Sequence, residues 1–168
     1  MITKEIQTTD MIQTKNMRGS NVDALLSYVL KLWARDRKQI LGEFGLTIPQ
    51  YEALSAISFL SNHKKEIIQT DLAKETKIDP MNISTILRNL ERNKLITRIR
   101  GTVDTRVINI ELTELGKLVF QQASTKMSSS YNNLYKNIDE KNLTIQLIKL
   151  SNVLNAEAKD KKQAAFYI

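Results

Sequence analysis

The chain has 168 residues, 42% hydrophobic and 26% charged, with a formal net charge of +7 and a pI near 9.6. That length suits one domain with extensions, and the apolar content suffices for a core. There is no cysteine and a single histidine, His63, which excludes a disulfide framework, thiol redox chemistry, cysteine-ligated zinc and any multi-histidine metal site within one chain. His63 reads as a solvated loop residue. No apolar run approaches the length that spans a bilayer, so no transmembrane helix is expected. The opening MITKEIQTTDMIQTKNMRGS lacks the apolar block of a signal peptide, which makes the cytoplasm the default compartment.

Residues 1–20 are polar, without periodicity, and end in Gly19-Ser20; they read as a flexible arm. Asn21 is a candidate helix cap. After it Val22, Leu25, Leu26, Val29, Leu30, Trp33, Ile40 and Leu41 recur at helical spacing up to a turn at Gly42–Gly45. Thr47, Pro49 and Gln50 open the next helix as a capping box with a first-turn proline. Its apolar face is Tyr51, Leu54, Ala56, Ile57 and Leu60. Ile67-Ile68 could form a minimal strand. Thr70 is read as the cap of a short helix reaching about Glu75.

Asp79 and Pro80 then start a helix to about Asn93, as N-cap and first helical residue. Ile83, Ile86, Leu87 and Leu90 share one face; the other carries Asn82, Ser84, Thr85, Arg88, Asn89 and Arg92. A helix built only for solubility would show more Glu and Lys there. Short donors and acceptors suit base edges and phosphates at close range. Leu95–Arg100 and Val107–Leu112 alternate like two antiparallel strands, joined by a tip at Gly101–Arg106. Residues 92–106 hold five basic side chains against the single acid Asp104, more than half of the net charge in fifteen positions.

Thr113-Glu114 caps a long helix whose apolar side runs from Leu115 to Ile138. Asp139 caps the last one, with Leu143, Leu147, Leu150 and Leu154 in line. The fold class is therefore mainly α with a small β-hairpin wing: a winged helix-turn-helix lobe on a helical base. The divisions are an arm at 1–20, a dimerisation helix at 21–46, the winged helix-turn-helix at 47–112, C-terminal dimerisation helices at 113–158 and a tail at 159–168. The first helix and the last two are longer than a winged lobe needs. Their apolar faces are cheapest to bury against a second copy, and a two-fold dimer would offer two recognition helices to a palindromic operator.

From Val22 to Leu154 the chain resembles the MarR family of bacterial transcription regulators. The carrying motifs are Gly45–Leu54, Thr70–Lys74, Asn89–Ile96, Asp104-Thr105-Arg106 and Leu112–Lys117. The resemblance implies a homodimeric DNA-binding repressor. Arg106 would reach the minor groove or its phosphates from the wing tip, and Asp104 would orient it. It also implies a small aromatic or anionic effector, for which Tyr28, Trp33 and Tyr51 are candidates beside their plainer role in packing. The chain departs from the family pattern at Lys94, where glycine is common, and at Ile48, which separates Thr47 from Pro49. Without cysteine, the family's peroxide-sensing thiol mechanism is excluded; with one histidine, so is its zinc-sensing branch.

The expected DNA-binding set is Thr70, Met81, Asn82, Ser84, Thr85, Arg88, Asn89, Arg92, Arg100, Asp104 and Arg106. No cofactor or metal is expected. The rival reading is a winged-helix protein–protein module, which the retained Arg88, Arg92 and wing arginines disfavour. An enzyme is disfavoured by the lack of a phosphate loop, a nucleophile motif or a ligand cluster.

Overall fold

A computed structural model of the chain describes residues 21–102 and 105–164, with side chains described as far as Ala156. The expected arm at 1–20, Asp104 and the last four residues lie outside the described residues. Six α-helices and one hairpin follow in the order α1 (Val22–Gly42), α2 (Ile48–Ser61), α3 (Gln69–Thr76), α4 (Pro80–Arg92), β1 (Ile96–Arg100), β2 (Ile108–Leu112), α5 (Glu114–Leu134), a 3₁₀ turn (Tyr135–Asn137) and α6 (Glu140–Ala164). Two compact units divide after Thr125, within α5.

Local chemistry sets most boundaries. Asn21 accepts from the Asp23 N–H, and Thr47 and Gln50 form the expected capping box at α2. Asp139 accepts from the Asn142 N–H at the start of α6. Four expectations need correction. Thr70 is not a cap: α3 begins at Gln69, and Asp71 reaches back to the Ile68 N–H at 3.2 Å, so Thr70 lies inside the first turn. The apolar side of α5 does not extend to Ile138, because the helix gives way to the 3₁₀ turn and Ile138 is extended. Of Ile67-Ile68 only Ile67 joins the sheet edge: its carbonyl accepts from the Ile110 N–H at 2.8 Å. The last helix continues to Ala164, into the segment read as a tail.

In the first unit, α2, α3 and α4 pack pairwise, and the hairpin closes against α2 and α4. Leu41, Leu54, Ile57, Leu72, Ile83, Leu87 and Leu90 are fully buried, each contributing about 1.5–3 kcal/mol through removal from water. The hairpin is antiparallel, with Ile96 opposite Leu112 and Arg100 opposite Ile108.

The joint between α4, β1 and α5 is tight. Lys94 takes a left-handed conformation (φ 60°), its N–H bonding to the Glu91 carbonyl and the Leu95 N–H to that of Leu90. The helix thus ends as glycine would end it, with lysine carrying the strain. The Thr113 hydroxyl then donates to the Lys94 carbonyl at 2.7 Å and accepts from the Gly116 N–H at 3.0 Å. A Cβ on Gly116 would stand 1.9 Å from the Leu95 carbonyl oxygen, so the approach of α5 to the hairpin requires glycine.

Two opposite shifts in urea midpoint are expected. Gly116→Ala should destabilise by about 2 kcal/mol or more, as overpacking against backbone does. Lys94→Gly should stabilise by up to ~1 kcal/mol, since relief of left-handed strain exceeds the added chain entropy.

Candidate nucleic-acid interface

Asp79 caps α4 by accepting from the Met81 N–H at 2.8 Å, and Pro80 occupies the first turn. At about 100° per residue, Met81, Thr85, Arg88 and Arg92 fall within about 60° of one another on the helix surface, and Ile83, Leu87 and Leu90 lie opposite. Burial follows that division. The three apolar residues are fully enclosed, and Met81 is 81% exposed. Asn82, Thr85, Arg88 and Arg92 are exposed, with Ser84 and Asn89 half-buried at the edges.

The polar face is partly pre-ordered. Arg88 donates to the Thr85 hydroxyl at 3.2 Å, and Arg92 donates to Asn89 Oδ1 at 2.8 Å. Each pair holds a long side chain over the helix and reduces the entropy lost on binding. Thr70 is exposed on α3, and its neighbour Gln69 donates to the Pro80 carbonyl at 3.3 Å, tying the starts of the two helices together.

On the hairpin, Arg100 and Arg106 are exposed. The Thr102 hydroxyl donates to Glu66 at 3.3 Å and pins the wing to the segment before α3. Arg98 points back instead: its Nε lies 3.3 Å from Glu91 Oε2, an ion pair linking β1 to the end of α4. The expected DNA-binding residues on α4 therefore share one exposed face, while Thr70 and the wing arginines stand on separate elements.

The candidate effector residues divide. Trp33 and Tyr51 converge on Arg37, whose guanidinium carbon is 4.5 Å from the Trp33 ring centroid and 6.0 Å from that of Tyr51. Arg37 is only 8% exposed and pairs with Glu52 at 3.3 Å. The Tyr51 hydroxyl meets Ser124 at 3.0 Å, and its ring packs on Phe120. Tyr28, about 140° round the helix from Trp33, is exposed. Among the described residues no group of three or more His, Cys, Asp or Glu could hold a metal ion. His63 is exposed and its ring nitrogen meets the Phe59 carbonyl at 2.9 Å.

Sequence reasoning missed four positioning residues: Gln69, Glu66, Arg98 and Asn109. Asn109 is buried in β2; its Oδ1 accepts from the Ile67 N–H at 2.7 Å and its Nδ2 donates to Glu111 at 2.7 Å. A lone asparagine between isoleucines in a strand was the one available signal.

Asp71 is the charged residue that most directly braces α3. Burial alone would raise its pKa, but the Lys64 hydrogen bond at 2.6 Å, the Ile68 N–H and the charges of Lys64 and Lys74 outweigh it and hold the carboxyl below its ordinary 3.8. A depressed carboxylate stabilises the fold above its unfolded-state pKa, and that stability is lost as pH falls through the folded-state value. Asp71→Asn should therefore melt at a lower temperature than the parent at neutral pH. The gap should narrow progressively in thermal melts taken further and further below pH 3.8.

Comparison with known proteins gives this geometry a family. The model for "Transcriptional regulator SarA/Rot" matches residues 37–123, just over half of the chain. The uncharacterised HTH-type transcriptional regulator YdcH of Bacillus subtilis is 30% identical over 92 residues, covering 55% of this chain and 63% of that protein. The organic hydroperoxide resistance transcriptional regulator of the same organism is 31% identical over 86 residues, covering 51% of this chain and 56% of its own length. The chain thus spans less than two thirds of either relative. Among solved structures, S. aureus MepR in complex with DNA superposes with a TM-score of 0.70 at 24% identity, over 81% of this chain and 96% of that one. CouR from Rhodococcus jostii bound to p-coumaroyl-CoA gives 0.69 at 20% identity, over 80% and 92%. These likenesses establish the MarR-like winged-helix fold, and the family is one of regulators rather than enzymes. The protein belongs to the SarA/Rot family of transcriptional regulators.

Proposed function

We propose that the chain is a homodimeric, sequence-specific DNA-binding repressor that acts in the cytoplasm on palindromic operators and responds to a small aromatic or anionic effector. The observation that carries this reading is the exposed polar face of α4 set opposite a fully buried apolar seam. A helix so held has the dimensions and side chains to enter a major groove. Met81, Asn82, Ser84, Thr85, Arg88 and Asn89 would meet base edges, with Arg92 and Thr70 on flanking phosphates. Arg100 and Arg106 would follow the backbone or the minor groove, and Asp104 would orient Arg106.

The dimer rests on apolar exposure. Val22, Leu25, Val29 and Leu30 on α1 are exposed, as are Leu143, Leu147, Ile148, Leu150, Val153 and Leu154 on α6. Apolar surface of this extent marks an interface, and the assigned dimerisation segments are 21–46 and 113–158. DNA complexes of MepR and CouR, which share the fold, support the DNA partner. The p-coumaroyl-CoA complex of CouR supports a small-molecule ligand. For Trp33 and Tyr51, their stacking on Arg37 favours packing over an open effector pocket.

The test is fluorescence anisotropy with the duplex upstream of the chain's own gene and a scrambled duplex, at two salt concentrations. Preferential binding to the native duplex at one dimer per site is expected. Arg88→Ala should cost about 1–3 kcal/mol on that duplex. Arg106→Ala should weaken binding to both duplexes and reduce the salt slope by about one. Equal affinity of Arg106→Ala and parent, with the same slope, would remove the wing from the interface. A monomer by sedimentation at micromolar concentration would contradict the dimer.

A further inference from the structure

Met81 is the most exposed large hydrophobic among the described residues. Hydrophobic residues exposed singly are ordinary; the place of this one on α4 distinguishes it. It is the second residue of the helix, after Pro80. It leads the outward line that continues through Thr85, Arg88 and Arg92. All three of those side chains are exposed and polar, so a thioether stands at the leading end of a row of hydrogen-bonding groups. No other large hydrophobic on α4 is exposed.

The backbone of Met81 is held at both ends. Its N–H donates to Asp79 Oδ1 at 2.8 Å, and its carbonyl accepts from the Thr85 hydroxyl at 3.3 Å. The same hydroxyl accepts from Arg88 at 3.2 Å. The hydroxyl proton is used inside the helix, so Thr85 offers no donor to a base edge. The Met81 sulfur has no proton to give and is only a weak acceptor. The donors and acceptors along the base edges therefore find no match at this position. One group in the major groove is apolar, the C5-methyl of thymine. We propose that Met81 reads that methyl, so that each half of the bound site carries a thymine whose methyl is required. The proposal rests on the DNA-binding reading of α4 and names what one of its residues recognises.

Helix geometry locates the thymine. Met81 and Arg88 are separated by about 10.5 Å along the axis of α4, and successive base pairs by about 3.4 Å. The two residues thus address positions no more than about three base pairs apart. Arg88 can make paired hydrogen bonds to a guanine edge, whereas Met81 makes contact by shape and apolarity alone. The unbranched, flexible thioether can settle against a methyl without a fixed angle of approach. Cytosine, which lacks the methyl, leaves that contact unmade.

The test uses the full chain and the duplex it selects from a randomised library. Each thymine in turn is replaced by uracil, which removes the methyl and leaves every hydrogen-bonding group in place. At one thymine per half-site, within about three base pairs of the position whose preference Arg88→Ala relaxes, uracil should weaken binding of the parent about fourfold, the factor for one buried methyl-sized group. The thymine-to-uracil ratio should fall to about one in Met81→Ala. If that variant binds too weakly to measure, Met81→Gln, of similar length but with a polar end, supplies the ratio, and the same fall is expected. Equal binding of thymine and uracil duplexes by the parent at every position would overturn the assignment. So would a ratio that survives in both variants, which is what a methyl acting through groove shape alone would give. Failure to select any sequence would sink the DNA-binding reading itself; selection without a uracil effect sinks the thymine contact alone.

Discussion

The proposed recognition surface depends on the burial of one side of a thirteen-residue helix. Ile83, Leu87 and Leu90 sit in the core with Leu54, Ile57 and Leu72, and this fixes the rotation of α4 about its own axis. A turn of the helix by one residue, about 100°, would carry Arg88 into the buried place of Leu87 and Ile83 into the exposed place of Asn82. An unpaired buried guanidinium costs several kcal/mol, so the seam permits one orientation. Met81, Thr85, Arg88 and Arg92 face outward as a consequence. The proposed base-facing set is the remainder left by core packing, supplied with short polar groups and two arginines.

The hairpin is fixed to that helix by contacts of a different kind. Lys94 in its left-handed turn brings β1 out of α4, Arg98 reaches back to Glu91, and Gly116 lets α5 lie against the Leu95 carbonyl. Thr102–Glu66 and the Asn109–Ile67 bonds join the hairpin to the segment before α3. These contacts brace the hairpin against α4 and against the segment before α3. They add to the burial of Ile96 and Ile110, because a two-stranded hairpin has too little area to hold itself alone.

Features that depend on neighbours in sequence were legible in advance. Thr47 with Gln50, Asp79 with Pro80 and Thr113 before α5 are caps whose chemistry lies within a few residues, and the amphipathic split of α4 follows from its period. Features that depend on distant partners were not. Nothing local distinguishes Arg37 from a solvated arginine on α1 or Lys94 from a helix-ending lysine with ordinary dihedrals, and the isoleucines around Asn109 do not reveal its partner Ile67. The misreading of Thr70 was a competition between caps: a threonine is a good N-cap, but Asp71, drawn by Lys64 and reaching to Ile68, set the start of α3 earlier. The aromatic pair Trp33 and Tyr51 is legible as a candidate site, while the guanidinium between them comes from tertiary packing.

The central claim is that the outward face of α4 reads DNA sequence as part of a two-fold assembly. Selection of binding duplexes from a randomised library by the purified protein tests it most directly. The account predicts an enriched motif of two inverted half-sites about one helical turn apart, centre to centre. It also predicts that Arg88→Ala relaxes the preference at one position within each half. A library recovered without sequence enrichment, bound only in proportion to falling salt, would contradict it: the surface would then be a basic patch for polyanions rather than a reader of base pairs.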